Sequence, residues 1–185
     1  MMNGRPTPTP IFSVPIYEFD VPDIEKHEQY FAPYIDTLEE HRQVRTDFFD
    51  NQRYDLPQDL EEFILQSVGG IVGRADLKVH TYWLQDYQPS QYHSMHTHGD
   101  TLYAGVIYLR FEGHGGHLIF QNPCTAQWMT RSGPFEYYYQ PQRGRMVVFD
   151  GWLPHRVADI EDTVKERSIL AFNVVRDYSS TEGTS

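Results

Sequence analysis

A mainly β fold, two packed sheets with helices on the outside, is what this sequence predicts, and three observations carry it. From Leu77 onward the residues become β-branched and aromatic with a period of two. Gly, Pro and Asn cut that stretch into roughly seven short strands, the punctuation of a double-sheet architecture. Helical periodicity, in contrast, is confined to the residues before Leu77.

The elements follow in order. Pro6, Pro8, Pro10, Pro15 and Pro22 disfavour helix and predict an extended arm that becomes an edge strand near Ile11 to Phe19. Asp23 is placed to cap a short turn through Tyr30, and Pro33 to open a helix with Ile35 and Leu38 on one face. A stronger helix runs from Pro57 to about Val68. Acidic Asp59, Glu61 and Glu62 suit its positive end, Leu60, Phe63, Ile64 and Val68 recur at spacings of three and four, and Gly69 and Gly70 stop it. These helices are expected to buttress the sheet and to carry no chemistry.

In the strand region, Leu77 to Leu84 alternates, with His80, Tyr82 and Leu84 on one face and Val79, Thr81 and Trp83 on the other. Further strands are predicted at 102–111, 116–121, 135–141, 145–149 and 166–175. Gly113 to Gly116 permits a tight reversal and Gly144 a turn before Met146 to Phe149. Residues 122–135 read as a long loop able to act as a lid. The whole chain, 1–185, reads as one domain: an arm with buttressing helices (1–76), a β core (77–176) and a tail (177–185).

Composition excludes several function classes. With 39% hydrophobic and 15% aromatic residues the chain is no disordered segment. The net charge of −11, with no Lys/Arg stripe, argues against nucleic acid as a partner. Cys124 stands alone, so no intrachain disulfide forms, and a reducing, cytoplasmic setting is expected. No run is long and apolar enough to predict a membrane span.

Chemistry concentrates in two stretches, His93-Ser-Met-His96-Thr-His98-Gly-Asp100 and, much later, Leu153-Pro-His155 with Arg167 twelve residues beyond. Residues i and i+2 of an extended segment point the same way, so His96 with His98, or His98 with Asp100, supply two adjacent ligands, and His155 completes a facial triad of the kind that binds Fe(II). Both registers are open, and the residue left out would hold an imidazole from behind. His93-x-x-His96 and His114-Gly-Gly-His117 offer a weaker, zinc-type alternative, while His27 and His41 sit in charged helical text and read as ordinary polar residues.

From His96 to Leu109, and again through Gly115 to Pro123, Gly144 to Phe149, the His155 segment and Arg167 to Asn173, the chain resembles the 2-oxoglutarate and Fe(II)-dependent oxygenases, in particular a small bacterial and phage branch. The likeness covers roughly the C-terminal half, with a weaker match at Pro10 to Ile16. It implies a cupin-like double-stranded β-helix, or jelly roll, holding Fe(II) and 2-oxoglutarate, with oxidative decarboxylation of the keto acid driving hydroxylation of a small molecule or a protein side chain. It further implies Arg167 as the clamp on the distal carboxylate, a task that suits a planar guanidinium, aided by Tyr108 or Ser168. Most members read His-x-Asp where this chain has His96-Thr-His98.

Aromatic residues at Trp83, Tyr87, Tyr92, Tyr103, Trp128 and Tyr137 to Tyr139 are candidates to line a mouth, with Trp83 first among them for substrate contact. Two other classes fit the same text: a three-histidine cupin-type metal enzyme that does not use 2-oxoglutarate, and a jelly-roll binding or structural module without catalysis. The sequence does not set the oligomeric state.

Overall fold

The period-two stretches pair into antiparallel sheets. The computed structural model describes residues 13–41, 43–50, 53–131 and 133–181. Its strands are β1 (Ile16–Asp20), β2 (Glu40–His41), β3 (Val44–Thr46), β4 (Leu77–Asp86), β5 (His93–His96), β6 (Tyr103–Gly113), β7 (Leu118–Gln121), β8 (Glu136–Tyr139), β9 (Arg145–Asp150), β10 (His155–Val157) and β11 (Val164–Arg176). Seven form one sheet in the order β1-β9-β6-β11-β4-β3-β2, and four form a second in the order β5-β10-β7-β8. This is the expected two-sheet jelly roll. The start of the predicted edge strand, Ile11 and Phe12, lies outside the described residues.

Alternation along β11 assigns the two faces of the large sheet. Leu170, Phe172 and Val174 pack into one apolar cluster with Phe31, Ile35, Leu60, Ile64 and Val68 of the helices. Ile169 and Ala171 pack into a second with Val106, Tyr108, Leu118, Phe120 and Val157, which fills the space between the sheets. Leu60, Ile64, Leu170 and Phe172 are wholly buried, each such side chain contributing about 1.5–3 kcal/mol.

The helices depart from expectation in three ways. One helix, α1 (Ile24–Ile35), replaces the predicted turn and separate helix, and Pro33 lies inside it. Ile24, His27, Phe31 and Ile35 share its buried face, and their burial outweighs the hydrogen bond that Pro33 removes. Asp23 makes no side-chain cap and adopts a left-handed conformation (φ 49°), its carbonyl accepting from Lys26 and His27 instead.

Gly69 and Gly70 do not stop α2 (Gln58–Val72); it runs on to Gly73 (φ 67°), whose amide donates to the Gly69 carbonyl at 2.8 Å. Gly69 is instead a close-approach site, because a Cβ there would stand 2.8 Å from the Arg74 carbonyl oxygen. Part of the predicted 122–135 loop is a short helix, α3 (Thr125–Thr130). No helix among the described residues is long and apolar enough to cross a membrane.

Candidate metal centre

Two strands of the small sheet deliver the first two imidazoles. His96 ends β5 directly opposite His155 at the start of β10, so both rings stand on one face, 4.3 Å between centroids. His98 follows in the turn, its amide donating to the Gly151 carbonyl at 2.8 Å. Its ring lies nearly parallel to that of His155, 13° between planes. One ring nitrogen from each of the three falls within 4.8 Å of the others.

The outer contacts fix which nitrogen is free. Nδ1 of His96 donates to the Ser94 carbonyl and Nδ1 of His155 to the Leu153 carbonyl, both at 2.8 Å. Nδ1 of His98 donates to Oδ1 of Asn173 at 2.6 Å, and the Asn173 amide is turned that way by donating to Thr81 Oγ1 at 2.8 Å. Carbonyl and amide oxygens only accept, so each Nδ1 carries the proton and each Nε2 keeps a bare lone pair. Nε2 of His98 and Nε2 of His155 are 3.2 Å apart. Two lone pairs at that distance repel unless a cation stands between them, and ligands at right angles around a metal, each about 2.1 Å from it, are separated by about 3 Å.

Burial reinforces the neutral state. It pulls His98 down to about 4, helped by His96, and depresses His96 as well. His155, buried beside His96 and His98, falls well below the ordinary histidine value. A fourth imidazole, His93, stacks on His96 at 4.4 Å, approaches Tyr87 and Gln85, and is drawn down to about 4 by burial. Imidazoles that stay unprotonated at neutral pH are the state a divalent metal needs.

Arg167 closes the same cavity from β11. It is 1% exposed, its guanidinium lies 4.3 Å over the Tyr87 ring and 5.5 Å from that of Tyr108, and Nε donates to the Gly116 carbonyl. Gly116 (φ 56°) leaves room for it, since a Cβ would come within 3.3 Å of Arg167 Cδ. Nη1 of Arg167 and the Tyr108 hydroxyl are both buried without a hydrogen-bond partner. A buried cation with an idle donor is expensive unless an anion joins it.

The remaining expected residues separate clearly. Asp100 sits on an exposed turn outside the three-histidine cluster, so of the two registers the structure assembles His96 with His98. Ser168, next to Arg167 in a strand, faces the other side of the sheet and donates to Asp86 Oδ1 at 2.7 Å; it is remote from the cavity, and only Tyr108 of the two proposed hydroxyls adjoins Arg167. Trp83 lines the cavity, its ring 6.0 Å from His98 and tilted by 25°. Tyr87 lines it too. Tyr103 packs instead in the helix-side core, and the Trp128 side chain lies outside the described residues. His114 and His117 do not join a metal-type cluster among the described residues.

Sequence reasoning missed Asn173, Gln85 and the placement of His93. Parity could have found Asn173, which shares the inward face with Arg167, Ile169 and Ala171. An open groove of about 820 Å³ is lined by Val14, Ile16, Phe120, Pro123 and Tyr137 among others, and by Leu153, whose carbonyl accepts from His155.

Comparison with known proteins gives a consistent picture. A family model described as "Putative 2OG-Fe(II) oxygenase" matches residues 81–173. No curated protein matches the chain. Among solved structures, a 2OG-Fe(II) oxygenase family oxidoreductase from Burkholderia pseudomallei is similar with a TM-score of 0.62 at 17% identity, covering 87% of this chain and 84% of that one. A Pseudomonas putida prolyl-4-hydroxylase gives 0.60 at 16% identity, covering 89% and 94%. HygX from Streptomyces hygroscopicus, with nickel, 2-oxoglutarate and hygromycin B bound, gives 0.59 at 10% identity, covering 89% and 84%. At these identities the likeness speaks to the fold, and the matched segment opens at Thr81 and closes at Asn173, the two residues that hold His98 from behind.

Proposed function

The chain belongs to the 2OG-Fe(II) oxygenase family, with Fe(II) and 2-oxoglutarate as its cofactors, and from that premise we propose that it hydroxylates a C–H bond of a small molecule or a protein side chain. When bound, the iron would let dioxygen be reduced with two electrons from 2-oxoglutarate, one oxygen atom entering the substrate as a hydroxyl and the other entering succinate as carbon dioxide leaves. The observation that carries the reading is the meeting, in one cavity, of three converging Nε2 lone pairs with a buried guanidinium whose Nη1 has no hydrogen-bond partner and a buried phenol hydroxyl without one.

In this reading His96, His98 and His155 hold the iron through Nε2. Arg167 Nη1 and the Tyr108 hydroxyl take the distal carboxylate of 2-oxoglutarate. Tyr87 supports the guanidinium from below, while Phe149, Leu118 and Val157 wall the cavity and limit water. Trp83, beside His98 with the exposed Phe48 against its other side, stands where an entering substrate would meet it. The prolyl-4-hydroxylase and HygX likenesses span a peptidic and a small-molecule ligand, and either would lie along the open groove lined by Phe120 and Leu153.

The test is an anaerobic visible spectrum of the protein with Fe(II), before and after 2-oxoglutarate. A charge-transfer band that needs both additions is expected. Iron bound without the band would favour a three-histidine cupin-type enzyme working without 2-oxoglutarate. No iron binding at all would favour a non-catalytic module.

A further inference from the structure

The three-histidine arrangement leaves a charge unaccounted for. Iron(II) brings two positive charges and the 2-oxoglutarate dianion cancels both, so Arg167 adds one that nothing nearby offsets. The protein ligands are neutral, and so are the groups behind them: the Ser94 carbonyl, the Leu153 carbonyl and the Asn173 amide. No Asp or Glu is among the residues lining the cavity. Asp100 is exposed on its turn, and Asp47, buried in the β3–α2 connection, accepts from the Leu84 amide. A site with a carboxylate ligand would be neutral with both cofactors bound; this one would not.

Donor counting points to the same place. Arg167 Nη1 and the Tyr108 hydroxyl are spoken for by the keto acid, and the Gln85 amide is used by Tyr87 and His93. A further buried donor has no partner: the indole N–H of Trp83, on a side chain 7% exposed. It belongs to the residue whose ring lies over His98. A buried N–H left idle costs free energy, as does an uncompensated buried charge, and a single anion at Trp83 relieves both.

We propose that the cavity with iron and 2-oxoglutarate bound takes one further monoanion, seated on the Trp83 indole N–H beside His98, and that this anion is a carboxylate of the substrate or a small inorganic ion. The inference rests on the functional reading above and names the chemistry of its third component.

The test titrates the anaerobic protein carrying Fe(II) and 2-oxoglutarate with chloride, azide, formate and acetate, following the charge-transfer band and the heat of binding. Saturable binding that shifts the band is expected. Preference for formate and acetate would assign the anion to the substrate, and an equal response to chloride and azide would assign it to an inorganic ion; both support the site. Trp83→Phe, which keeps the ring and removes the N–H, is expected to weaken the anion about ten- to a hundredfold while the band persists. His98→Asp writes the common His-x-Asp pattern and supplies the missing negative charge; it is expected to keep iron and 2-oxoglutarate but lose the anion. An intact band with no anion response in the unaltered protein would overturn the inference alone. Anion binding unchanged in both variants would overturn it too. Failure to form the band at all would overturn the functional reading first.

Discussion

A histidine lends its Nε2 lone pair to a metal only while its proton is held on Nδ1, so at the scale of single residues Asn173 matters nearly as much as the ring it holds. Asn173→Ala leaves His98 free to change tautomer and to rotate. Metal affinity is expected to fall about 10–100-fold, measured by calorimetry, with 2-oxoglutarate affinity of the fully loaded protein little changed. Arg167→Met separates the functions the opposite way. It removes a buried cation with an idle donor, so iron binding should persist and 2-oxoglutarate binding should be lost. The apoprotein should gain stability, by an amount on the order of 1–4 kcal/mol if the methionine fills the space well, seen as a raised Tm. Loss of iron in that variant would show that Arg167 shapes the cluster and does not serve the keto acid alone. The three-histidine cluster was legible in the spacing His96-x-His98 and in His155, while Arg167 was singled out by the family resemblance and lines the same cavity. Asp100 and Ser168 misled for different reasons. Asp100 follows a turn glycine with a left-handed backbone (φ 57°), where the strand rule that i and i+2 align no longer applies. Ser168 neighbours an inward-facing residue in a strand, so alternation sends it outward.

At the scale of elements, β11 links the apolar core to the chemistry, because one strand turns Leu170, Phe172 and Val174 to the helices and Arg167, Ile169, Ala171 and Asn173 to the site. Gly105 on β6 is the point where that double duty leaves no spare volume. A Cβ there would lie 2.3 Å from the Phe172 ring, which is wholly buried. Gly105→Ala is therefore expected to destabilise the fold by about 1–3 kcal/mol through overpacking, measured as a lower denaturation midpoint with an unchanged slope; a neutral result would show that Phe172 can turn aside. The long strands were legible because both of their faces are patterned. Of the short ones, β7 and β8 were legible within longer runs of strand-forming residues, whereas β2, β3, β5 and β10 carry too little period to read. Two of these, β5 and β10, position ligands, so the pairing of His96 with His155 became visible only in the register. The helix boundaries at Pro33 and Gly69 moved because tertiary burial of Phe31, Ile35 and Val68 outweighed local breakers worth a few kcal/mol at most.

For the molecule as a whole, gathering four neutral imidazoles in one cavity makes stability depend on pH in a definable direction. In the folded chain burial holds His93 and His98 at about 4, lowers His96, and drives His155 well below its ordinary value; unfolded, each returns to about 6.5. Above that value neither state binds the protons, and the apoprotein keeps its full stability. As pH falls from about 6.5 toward 4 the unfolded chain takes up protons that the folded chain refuses, and the balance tips toward unfolding. Each histidine contributes at most about 1.4 kcal/mol per pH unit across that window. Asp47 and Asp150, whose carboxyls burial raises, work in the opposite sense and soften the slope. Denaturant titrations of the metal-free protein at several pH values should show stability level above about pH 6.5 and falling below it. His93→Gln, which removes one of the four and keeps all three ligands, should flatten the decline, and an unaltered slope in that variant would mean that His93 is protonated in the folded state after all. Divalent metal requires the same neutral imidazoles, so its stabilisation should add to that of the apoprotein near neutrality and disappear across the same acidic window.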